Sequence, residues 1–588
     1  MLAVAVAAVV GGAVGQVTPE SNRLITEAVQ NALDFQASYW NTSFQAAFVG
    51  PPTPVAASYG LNVRVASGIQ DFSTGAKMTN DSIIPMGSVT KSWTMVAAFR
   101  AIENGGSNPP FTLDSKVVDL ADELIGEENG TTLREIFAKT AEDPNATLAY
   151  LEQITVRDLL GMSSGLQDYN DTWFYETTVS EPDVTVSPYD ILWRLNKTFI
   201  FAPGTPGQKA YSSAGYEIMG LILAQAAGVK SWKEYNQLAG AIPPKLLPTF
   251  NQTVFPVGGL CSAVPNMVTQ YAMNQTDLID CITGVLTGEA CRDGLFETLT
   301  NTNCANGWTC GNIASTATDI ASFYSALSGF QLITDLQLLG ALSAFAPLTQ
   351  GWCATCHLEY SLGLMFVAAG FNASLGTSSN ALLVGHGGQD YGSGAPLAGF
   401  NSALHIGVAM AMGSSQGMAY SNSSGPASVC NASDKTATLK WGPAYNLNSV
   451  AGQVASCVTY GTFLGEIGEA KPGSELYFDF RLQYPSQWVM CEQLAGAPPV
   501  PAKIGLGVKQ VQCSPPSQFI YYDCSDEEFK DCCAQSPDPT ECNMAKAVPY
   551  FVQNPLCTGY IPCLPDYVEG TTLPDVSDAT TVNTPIDA

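Results

Sequence analysis

Charged residues are scarce in this sequence, and basic residues are scarcer than acidic ones. Charged residues make up 13% of the chain, and 24 Lys and Arg stand against 52 Asp and Glu, which gives a formal net charge of −28. Soluble chains average about 25% charged residues. Because a negative field repels phosphate backbones and anionic lipid, we expect neither nucleic acid nor a membrane surface as a partner. Small neutral or cationic molecules meet no such barrier.

Histidine, the commonest metal ligand, is scarcer still. The chain has three, His357, His386 and His405, which are too far apart to suggest a dinuclear metal site. We predict no metal and no cofactor. The segment Cys353–His357 matches a c-type haem attachment motif. A single copy that uses two of the 17 cysteines indicates disulfide chemistry instead.

Cysteine is absent before Cys261, and its density rises toward the end of the chain. Nine cysteines lie between Cys261 and Cys457, and eight lie between Cys491 and Cys563. So many cysteines without zinc-type spacing indicate an oxidising compartment, but their pairing cannot be deduced. Whether the segment with the last eight cysteines binds a partner is left open. The predicted bounds are 16–470 for the main domain, 471–570 for a Cys-rich extension and 571–588 for a flexible tail.

The start of the chain is apolar but too short to span a bilayer. Ala13 and Gly15 have the spacing of a signal-peptidase site, although the usual basic residues before the apolar run are missing. We interpret residues 1–15 as a signal peptide, with a merely apolar start as the alternative. A secreted protein would carry glycans at its Asn-x-Ser/Thr sites. These sites begin at Asn41, Asn80, Asn129, Asn145, Asn170, Asn196, Asn251, Asn274, Asn372, Asn422 and Asn431.

Strand and helix patterns occupy different parts of the main domain. Alternation at Leu61, Val63 and Val65 predicts a strand, and helical spacing predicts a helix that follows Gly87 and ends near Asn104. Helices and loops dominate from about 115 to 330, before strand patterns return. This order predicts an α/β domain whose sheet comes from both ends of the chain, around a mainly helical insertion. The late strands are expected over 359–366, 381–384 and 404–412.

A Ser-x-x-Lys segment stands at the start of the predicted helix. Ser88 and Lys91 are three residues apart and therefore share a helix face. We expect a partly desolvated cleft to push Lys91 toward its neutral form, which can accept the serine proton. The pair alone is weak evidence, because an N-capping Ser and a solvated Lys have the same spacing.

Two later segments could complete a site around this pair. Tyr211 precedes a helical segment, and a phenol can act as general acid and base. A buried core aromatic is the alternative. The segment His386-Gly387-Gly388 ends an apolar strand, where missing side chains leave room for a substrate. Backbone N–H groups at such an edge can form an oxyanion hole.

Two Gly-x-Ser-x-Gly segments, 161–165 and 413–417, offer competing nucleophiles. A nucleophile elbow follows a strand, whereas the first segment follows a helical pattern. The second has no histidine after it, since His405 is the last. We interpret both as turns. His405 lies in an alternating pattern, which predicts a hydrogen-bonded residue within a strand.

These segments resemble those of the serine β-lactamase-related hydrolases, which include class C β-lactamases, D-alanyl-D-alanine carboxypeptidases and related esterases. The resemblance covers about residues 62–412. It implies an antiparallel sheet flanked by helices, and a serine hydrolase that forms an acyl-enzyme with an ester, amide or peptide carbonyl. Further matching runs are 84–91 (IPMGSVTK), 113–117 (LDSKV), 154–166 (ITVRDLLGMSSGL), 203–220 (PGTPGQKAYSSAGYEIMG) and 311–324 (GNIASTATDIASFY).

The resemblance also implies a role for each residue of the site. Ser88 would be the acylated nucleophile and Lys91 its activating partner. Tyr211 would move protons to the leaving group and from water. The backbone N–H groups of Ser88 and Gln389 would form the oxyanion hole.

Substrate binding would fall to Ser213 and to the segment His386-Gly387-Gly388. Ser213 stands where many members have Asn, and one hydroxyl replaces an amide's separate donor and acceptor, so we expect Lys91 to be less firmly oriented. His386 stands where penicillin-recognising members have Lys, and its charge is weaker and pH-dependent. This favours esters or amides without an obligatory carboxylate. Ser213 also keeps open the alternative of a catalytically inactive extracellular binding or scaffold protein.

Overall fold

The computed structural model describes most of the chain up to residue 413 and short segments beyond it. The described residues form two compact units. Those up to 272, from 298 to 366 and from 383 to 413 belong to the first unit, and the others to the second. The described ranges are 17–40, 42–53, 58–71, 73–105, 109–169, 171–273, 296–299, 301–350, 359–366, 383–390, 392–402, 404–413, 447–467, 511–514 and 518–521.

The strands of the main sheet come from both ends of the first unit, as the order of patterns predicts. Shorter strands lie between these ends, and a hairpin lies in the second unit. In chain order they are β1 (Phe44–Val49), β2 (Asn62–Ser67), β3 (Ile69–Asp71), β4 (Ala76–Lys77), β5 (Ile84–Pro85), β6 (Tyr271–Met273), β7 (Phe296–Thr298), β8 (Ala314–Ser315), β9 (Ala346–Pro347), β10 (Glu359–Tyr360), β11 (Met365–Phe366), β12 (Val384–Gly385), β13 (Gly388–Gln389), β14 (Gly394–Asn401), β15 (Ile406–Met412), β16 (Val511–Ser514) and β17 (Gln518–Tyr521).

One antiparallel sheet organises the first unit. Its order is β2-β1-β15-β14-β12-β11-β10-β9, with β13 also paired to β14. The strand β1 joins the two ends of the chain, because Phe44 lies opposite Ser67 of β2 on one side and Met412 of β15 on the other. The early strand β1 therefore pairs directly with β15, more than 300 residues later in the numbering.

Helices fill the sequence between the early and late strands and cover the sheet. The first helix packs on β2, and a later one on β15. At Gly407 a Cβ would lie 1.8 Å from Ala321 O, so glycine permits this close packing. The helices are α1 (Pro19–Trp40), α2 (Thr90–Asn104), α3 (Asp122–Asn129), α4 (Leu133–Thr140), α5 (Pro144–Leu151), α6 (Val156–Leu160), α7 (Asp171–Ser180), α8 (Pro188–Arg194), α9 (Ser213–Ala226), α10 (Gln237–Ala241), α11 (Trp308–Gly311), α12 (Ala317–Ser328), α13 (Leu336–Ala341) and α14 (Leu447–Glu466).

This arrangement confirms the predicted α/β fold, an antiparallel sheet flanked by helices with a mainly helical insertion. The strand β2 alternates between buried Val63 and Val65 and exposed Asn62 and Arg64. In contrast, β15 is buried at every residue. Cysteines Cys261 and Cys304 form a disulfide in this unit.

Two local predictions are wrong. The segment 359–366 is not one strand: β10 and β11 form a hairpin, and Gly363 between them has a φ of +65° that glycine adopts without strain. His405 does not lie within a strand. It precedes β15 with a φ of +51°, and its Nδ1 lies 3.3 Å from Ser328 O.

The described part of the second unit includes α14 and an antiparallel hairpin of β16 and β17. Among the described helices, none combines the length and the hydropathy needed to cross a membrane. The predicted signal peptide, the tail 571–588, the haem-like segment 353–357 and almost all of the extension 471–570 lie outside the described residues. The predicted domain bounds stay predictions.

Candidate active site

Ser88 lies in the tight turn between β5 and α2. The segment before it is held by β8, to which β5 pairs, and Met86 N donates to Ile313 O at 2.9 Å. Gly87 has a φ of +53°, and a Cβ there would lie 2.1 Å from Gln389 O. Because only glycine combines this φ with this clearance, Gly87 shapes the turn that presents Ser88 at the start of the helix.

Lys91 lies in the first turn of α2 and its side chain reaches back to Ser88. Its Nζ donates to Ser88 Oγ and to Cys310 O, each at 3.0 Å. The side chain is 0% exposed, and Nζ lies 4.9 Å from the centroid of the Tyr211 ring. The predicted Ser-x-x-Lys contact is therefore present, between a fully buried Lys91 and a partly exposed Ser88.

Tyr211 comes from the extended segment that leads into α9. Its neighbour Ala210 is anchored by a hydrogen bond from its N–H to Met162 O at 2.9 Å. The Tyr211 hydroxyl donates to Ser88 Oγ at 2.9 Å. Three side chains that the sequence places up to 123 positions apart thus meet at one oxygen atom, and their catalytic roles stay predictions.

The protonation of Lys91 differs from the expectation. Burial by itself lowers the pKa of Lys91, but the interactions with Tyr211, Cys310 and Asp168 raise it, and the net shift is upward. The prediction that desolvation makes Lys91 neutral is therefore wrong. Burial raises the pKa of Tyr211, although Lys91 opposes this shift. Lys91 and Tyr211 therefore titrate as one coupled pair, and both side chains donate to Ser88 Oγ.

His386 lies inside the protein, with 0% of its surface exposed. Its Nδ1 lies 2.6 Å from Gly387 O, and its Nε2 lies 3.0 Å from Tyr360 Oη. Since a carbonyl can only accept, Nδ1 carries the hydrogen and Nε2 accepts from the phenol. Burial, aided by the charge of Lys91, lowers the pKa of His386 to about 3. The predicted pH-dependent charge is wrong because the ring is neutral near pH 7, and its role in substrate binding stays a prediction.

The glycines after His386 bring the strand β13 against the turn that carries Ser88. A Cβ on Gly388 would lie 2.0 Å from Met86 O and 2.8 Å from Ser88 N. A Cβ on Gly387 would be less crowded, at 3.3 Å from Pro396 O. The missing side chain at Gly388 therefore allows the close approach of this strand to the turn that carries Ser88.

The register of this strand directs the Gln389 N–H away from its partner strand. Asp390 N donates to Ser393 O at 2.8 Å, which makes these two residues a hydrogen-bonded pair. Such pairs alternate along an antiparallel ladder, so the next pair, Gln389 and Gly394, is not hydrogen-bonded. The Gln389 N–H therefore points to the edge nearest the Ser88 turn. The role of this N–H in an oxyanion hole stays a prediction.

Ser213 is buried at the start of α9, and a hydrogen bond from its backbone N–H fixes its position. Its N–H donates to Asp168 Oδ1 at 2.8 Å, and the same oxygen accepts the Tyr169 N–H at 3.0 Å. Asp168 was not among the predicted site residues. No local pattern links it to Ser213, which lies 45 positions further along the chain.

Glu217 is a second acidic residue that the sequence analysis missed. It lies one turn after Ser213 on α9 and is 0% exposed. The Cys310 thiol, a weak donor, interacts with this carboxyl, but neither oxygen has a hydrogen bond of ordinary geometry with the described residues. Burial raises the pKa of Glu217 to about 7. The sequence did contain a signal for this residue, because Glu217 is the only charged residue in the otherwise apolar run 216–224.

The competing serine at 163 is part of a turn, as predicted. The segment 161–165 follows α6, Met162 has a φ of +59°, and Ser163 Oγ donates to Asp158 Oδ1 at 2.8 Å. No histidine takes part in that contact. The second elbow lies outside the described residues beyond Gly413.

A serine that receives hydrogen bonds from a lysine and a tyrosine, on this α/β fold, defines the class of serine hydrolases with a Ser-x-x-Lys nucleophile. The family model named Beta-lactamase matches residues 28–425. Because this match covers more than half of the chain, the chain belongs to the β-lactamase family, and it is a serine hydrolase. The comparison with curated proteins finds no match.

Several solved structures are similar to the chain. A D-stereospecific amidohydrolase from Streptomyces sp. shares 18% identity, with 67% of this chain and 97% of that chain covered and a TM-score of 0.46. A D-amino acid amidase from Ochrobactrum anthropi SV3 shares 18% identity over 66% and 91%, with a TM-score of 0.45. An octameric penicillin-binding protein homologue from Pyrococcus abyssi shares 18% identity over 66% and 73%, with a TM-score of 0.45. At this level the similarities carry no information about the substrate.

Proposed function

We propose that this protein is a secreted serine hydrolase that forms an acyl-enzyme at Ser88 with an ester, amide or peptide carbonyl. One observation carries the proposal: Ser88 Oγ accepts hydrogen bonds from Tyr211 Oη at 2.9 Å and Lys91 Nζ at 3.0 Å. Two donors on one hydroxyl oxygen stabilise the anion that forms when the serine loses its proton.

Acylation requires that the Lys91 and Tyr211 pair first lose one proton. The deprotonated member then takes the Ser88 hydroxyl proton while Oγ bonds to the carbonyl carbon. The carbonyl oxygen becomes an anion between the N–H groups of Ser88 and Gln389. When the intermediate collapses, the bond to the leaving group breaks and the leaving group takes a proton from Tyr211.

Deacylation repeats these steps with water in place of the leaving group. Tyr211 accepts a proton from water, and the resulting hydroxide attacks the acyl carbon. The ester bond to Ser88 Oγ then breaks, and the oxygen regains its hydrogen from the same pair. Because burial raises the pKa of Tyr211 and the pKa of Lys91 is also raised, we expect acylation to accelerate as pH rises above neutral.

A neutral acyl substrate fits this site better than an anionic one. The ring of His386 is uncharged near neutral pH, since burial lowers its pKa to about 3. It therefore offers no cation to a substrate carboxylate. The net charge of −28 also opposes anions. We expect a neutral ester to be hydrolysed faster than the matching ester that carries a free carboxylate.

Two observations support the proposed secretion. The described Asn-x-Ser/Thr sites at Asn80, Asn129, Asn145, Asn196 and Asn251 all have exposed asparagines, as glycan attachment requires. The disulfide between Cys261 and Cys304 fits an oxidising compartment. Protein expressed in a eukaryotic secretory host should lose apparent mass after glycosidase treatment, and unchanged mass would contradict this part of the proposal.

Covalent labelling tests the catalytic part. A fluorophosphonate probe should modify the wild-type protein at Ser88, and Ser88→Ala should abolish the adduct while the melting temperature stays close to that of wild type. A β-lactam probe in parallel tests whether lactams are accepted. A folded wild-type protein that gives no Ser88-dependent adduct would instead support an inactive binding or scaffold protein, the alternative that Ser213 suggests.

A further inference from the structure

Lys91 is a fully buried cation whose hydrogen-bond acceptors carry no formal charge. Its Nζ donates to the Ser88 hydroxyl and the Cys310 carbonyl. A buried ammonium group is costly unless an opposite charge compensates it. The structure should therefore contain an anion close enough to attract the Lys91 ammonium group.

Asp168 is placed to supply this charge. Its Oδ1 accepts the N–H groups of Ser213 and Tyr169 at 2.8 and 3.0 Å, and hydrogen bonds of this kind stabilise a carboxylate. Ser213 lies two residues from Tyr211, which contacts both Ser88 and the ammonium group. The carboxylate is thus held to the same stretch of backbone that carries the predicted proton carrier.

The titratable groups that face Lys91 share an electrostatic interaction with this carboxylate. Burial has the largest effect on the pKa of Tyr211, Cys310, Glu217 and Lys91, raising the first three and lowering the last, and Asp168 adds a smaller upward contribution to each. Burial is the main cause of the lowered pKa of His386, and the Lys91 charge lowers it further. Glu217 is less suited to be the permanent counter-charge, because its own pKa is about 7 and it therefore takes up a proton near neutral pH.

We propose that Asp168 is the counter-ion of Lys91, a positioning residue that keeps the ammonium group charged and directed at Ser88 between turnovers. Its effect on the reaction rests on the proposed function, whereas its effect on stability does not. The carboxylate is attached through the backbone N–H of Ser213, so this arrangement does not need an asparagine side chain at that position.

A double-mutant cycle in thermal unfolding tests the pair without reference to catalysis. Asp168→Asn keeps an oxygen that can accept both N–H groups but removes the charge. We expect it to lower the melting temperature clearly when Lys91 is present and much less in the Lys91→Met background. Equal losses in the two backgrounds would overturn the proposal, since Asp168 would then only cap the start of α9.

The pH profile of Ser88 labelling tests the kinetic consequence. In Asp168→Asn the inflection assigned to Lys91 should move at least about one pH unit toward acid, a shift equivalent to a tenfold change in its proton affinity. Asp168→Glu should restore most of the wild-type profile. A profile that superimposes on wild type would overturn the proposal.

Asp335→Asn is the matched control. Asp335 Oδ1 also accepts two backbone N–H groups, those of Gln337 and Leu338 at 2.7 and 3.2 Å, at the start of α13. A shift of the same size in this variant would mean that any capping carboxylate has the effect, which contradicts the proposal. A wild-type protein that shows the stability coupling but no Ser88 adduct would refute the proposed function and leave the counter-ion supported.

Discussion

Two regions of the molecule each contain a buried lysine, and the two have opposite properties. Lys197 is 3% exposed, and its Nζ donates to the carbonyls of Leu192 and Leu195 beside the Phe137 ring. Burial lowers the pKa of Lys197 to about 8. Lys91 is buried more completely, yet its pKa is raised because Tyr211 and other groups outweigh the burial.

Burial alone therefore does not decide the charge of a lysine. Carbonyl oxygens and an aromatic face satisfy the hydrogen-bond donors of Lys197 without replacing the lost hydration energy of the cation. Around Lys91 the ionised forms of Tyr211, Cys310 and Asp168 attract the ammonium group, and this attraction opposes the cost of burial. A lysine in a hydrolase site can therefore be held as a charged hydrogen-bond donor at rest.

The sharpest test of this comparison replaces each lysine by methionine. Lys91→Met should lower the rate of Ser88 labelling by about 10³–10⁴-fold, toward the upper end of what a positioned acid-base group contributes. Lys197→Met should leave the rate within a factor of about three, because the described contacts of Lys197 Nζ are with Leu192, Leu195 and Phe137, none of which is a predicted site residue. Second-order rate constants with the fluorophosphonate probe measure both. Similar losses in the two variants would break the comparison.

Glu217 provides the next largest effect, on stability. Its pKa is raised from 4.5 to about 7, so the folded state binds a proton that the unfolded state releases in this range. The contribution is complete below pH 4.5 and is lost as pH rises through 7, by about 3 kcal/mol in unfolding free energy. Urea unfolding at several pH values should show this slope in wild type. Glu217→Gln should lose it, and an unchanged slope would contradict the assignment.

Tyr211→Phe removes one of the two donors to Ser88 and should lower the labelling rate by about 100-fold. The matched control is Tyr324→Phe. Tyr324 is also buried, and its hydroxyl donates to Ser92 Oγ at 3.0 Å. Ser92 follows Lys91 on α2. Its loss should change stability but leave labelling near wild type. If both variants lost the same activity, the effect of Tyr211 would be structural.

The last expected effect concerns Lys197 at alkaline pH. Because its pKa in the folded state is lowered from 10.5 to about 8, the unfolded state binds more protons between these values. The contribution of Lys197 to the unfolding free energy should therefore increase as pH rises from 8 to 10.5, and it should be lost as pH falls through 8. Lys197→Met should remove that term. Curves of the same shape for both proteins would show that Lys197 does not titrate there.

Much of the site was predictable where the signal was local. Ser88 and Lys91 share a helix face by their spacing alone, and the left-handed residue Gly105 ends α2 near the predicted Asn104. The resemblance of the run 203–220 to the hydrolase family indicated that Tyr211 belongs to the same site as Ser88 and Lys91. The positions of Gly387 and Gly388 after an apolar strand predicted a strand edge near the nucleophile.

Properties that depend on distant neighbours were not predictable. The charge of His386 depends on full burial and on Lys91, which lies almost 300 positions earlier in the numbering. The strand expected over 359–366 is broken because Gly363 turns against Met95, to which a Cβ would approach within 2.5 Å. A single sequence contains no record of such contacts.

Hydrophobic period and residue spacing act locally along the chain, so the sequence alone was enough to predict the fold class, the Ser-x-x-Lys segment and the order of strands and helices. The tertiary structure alone decided which groups carry charge. The protonation of Lys91, His386 and Glu217 depends on desolvation and on Coulombic partners, and both are set by residues that folding brings together from remote parts of the chain.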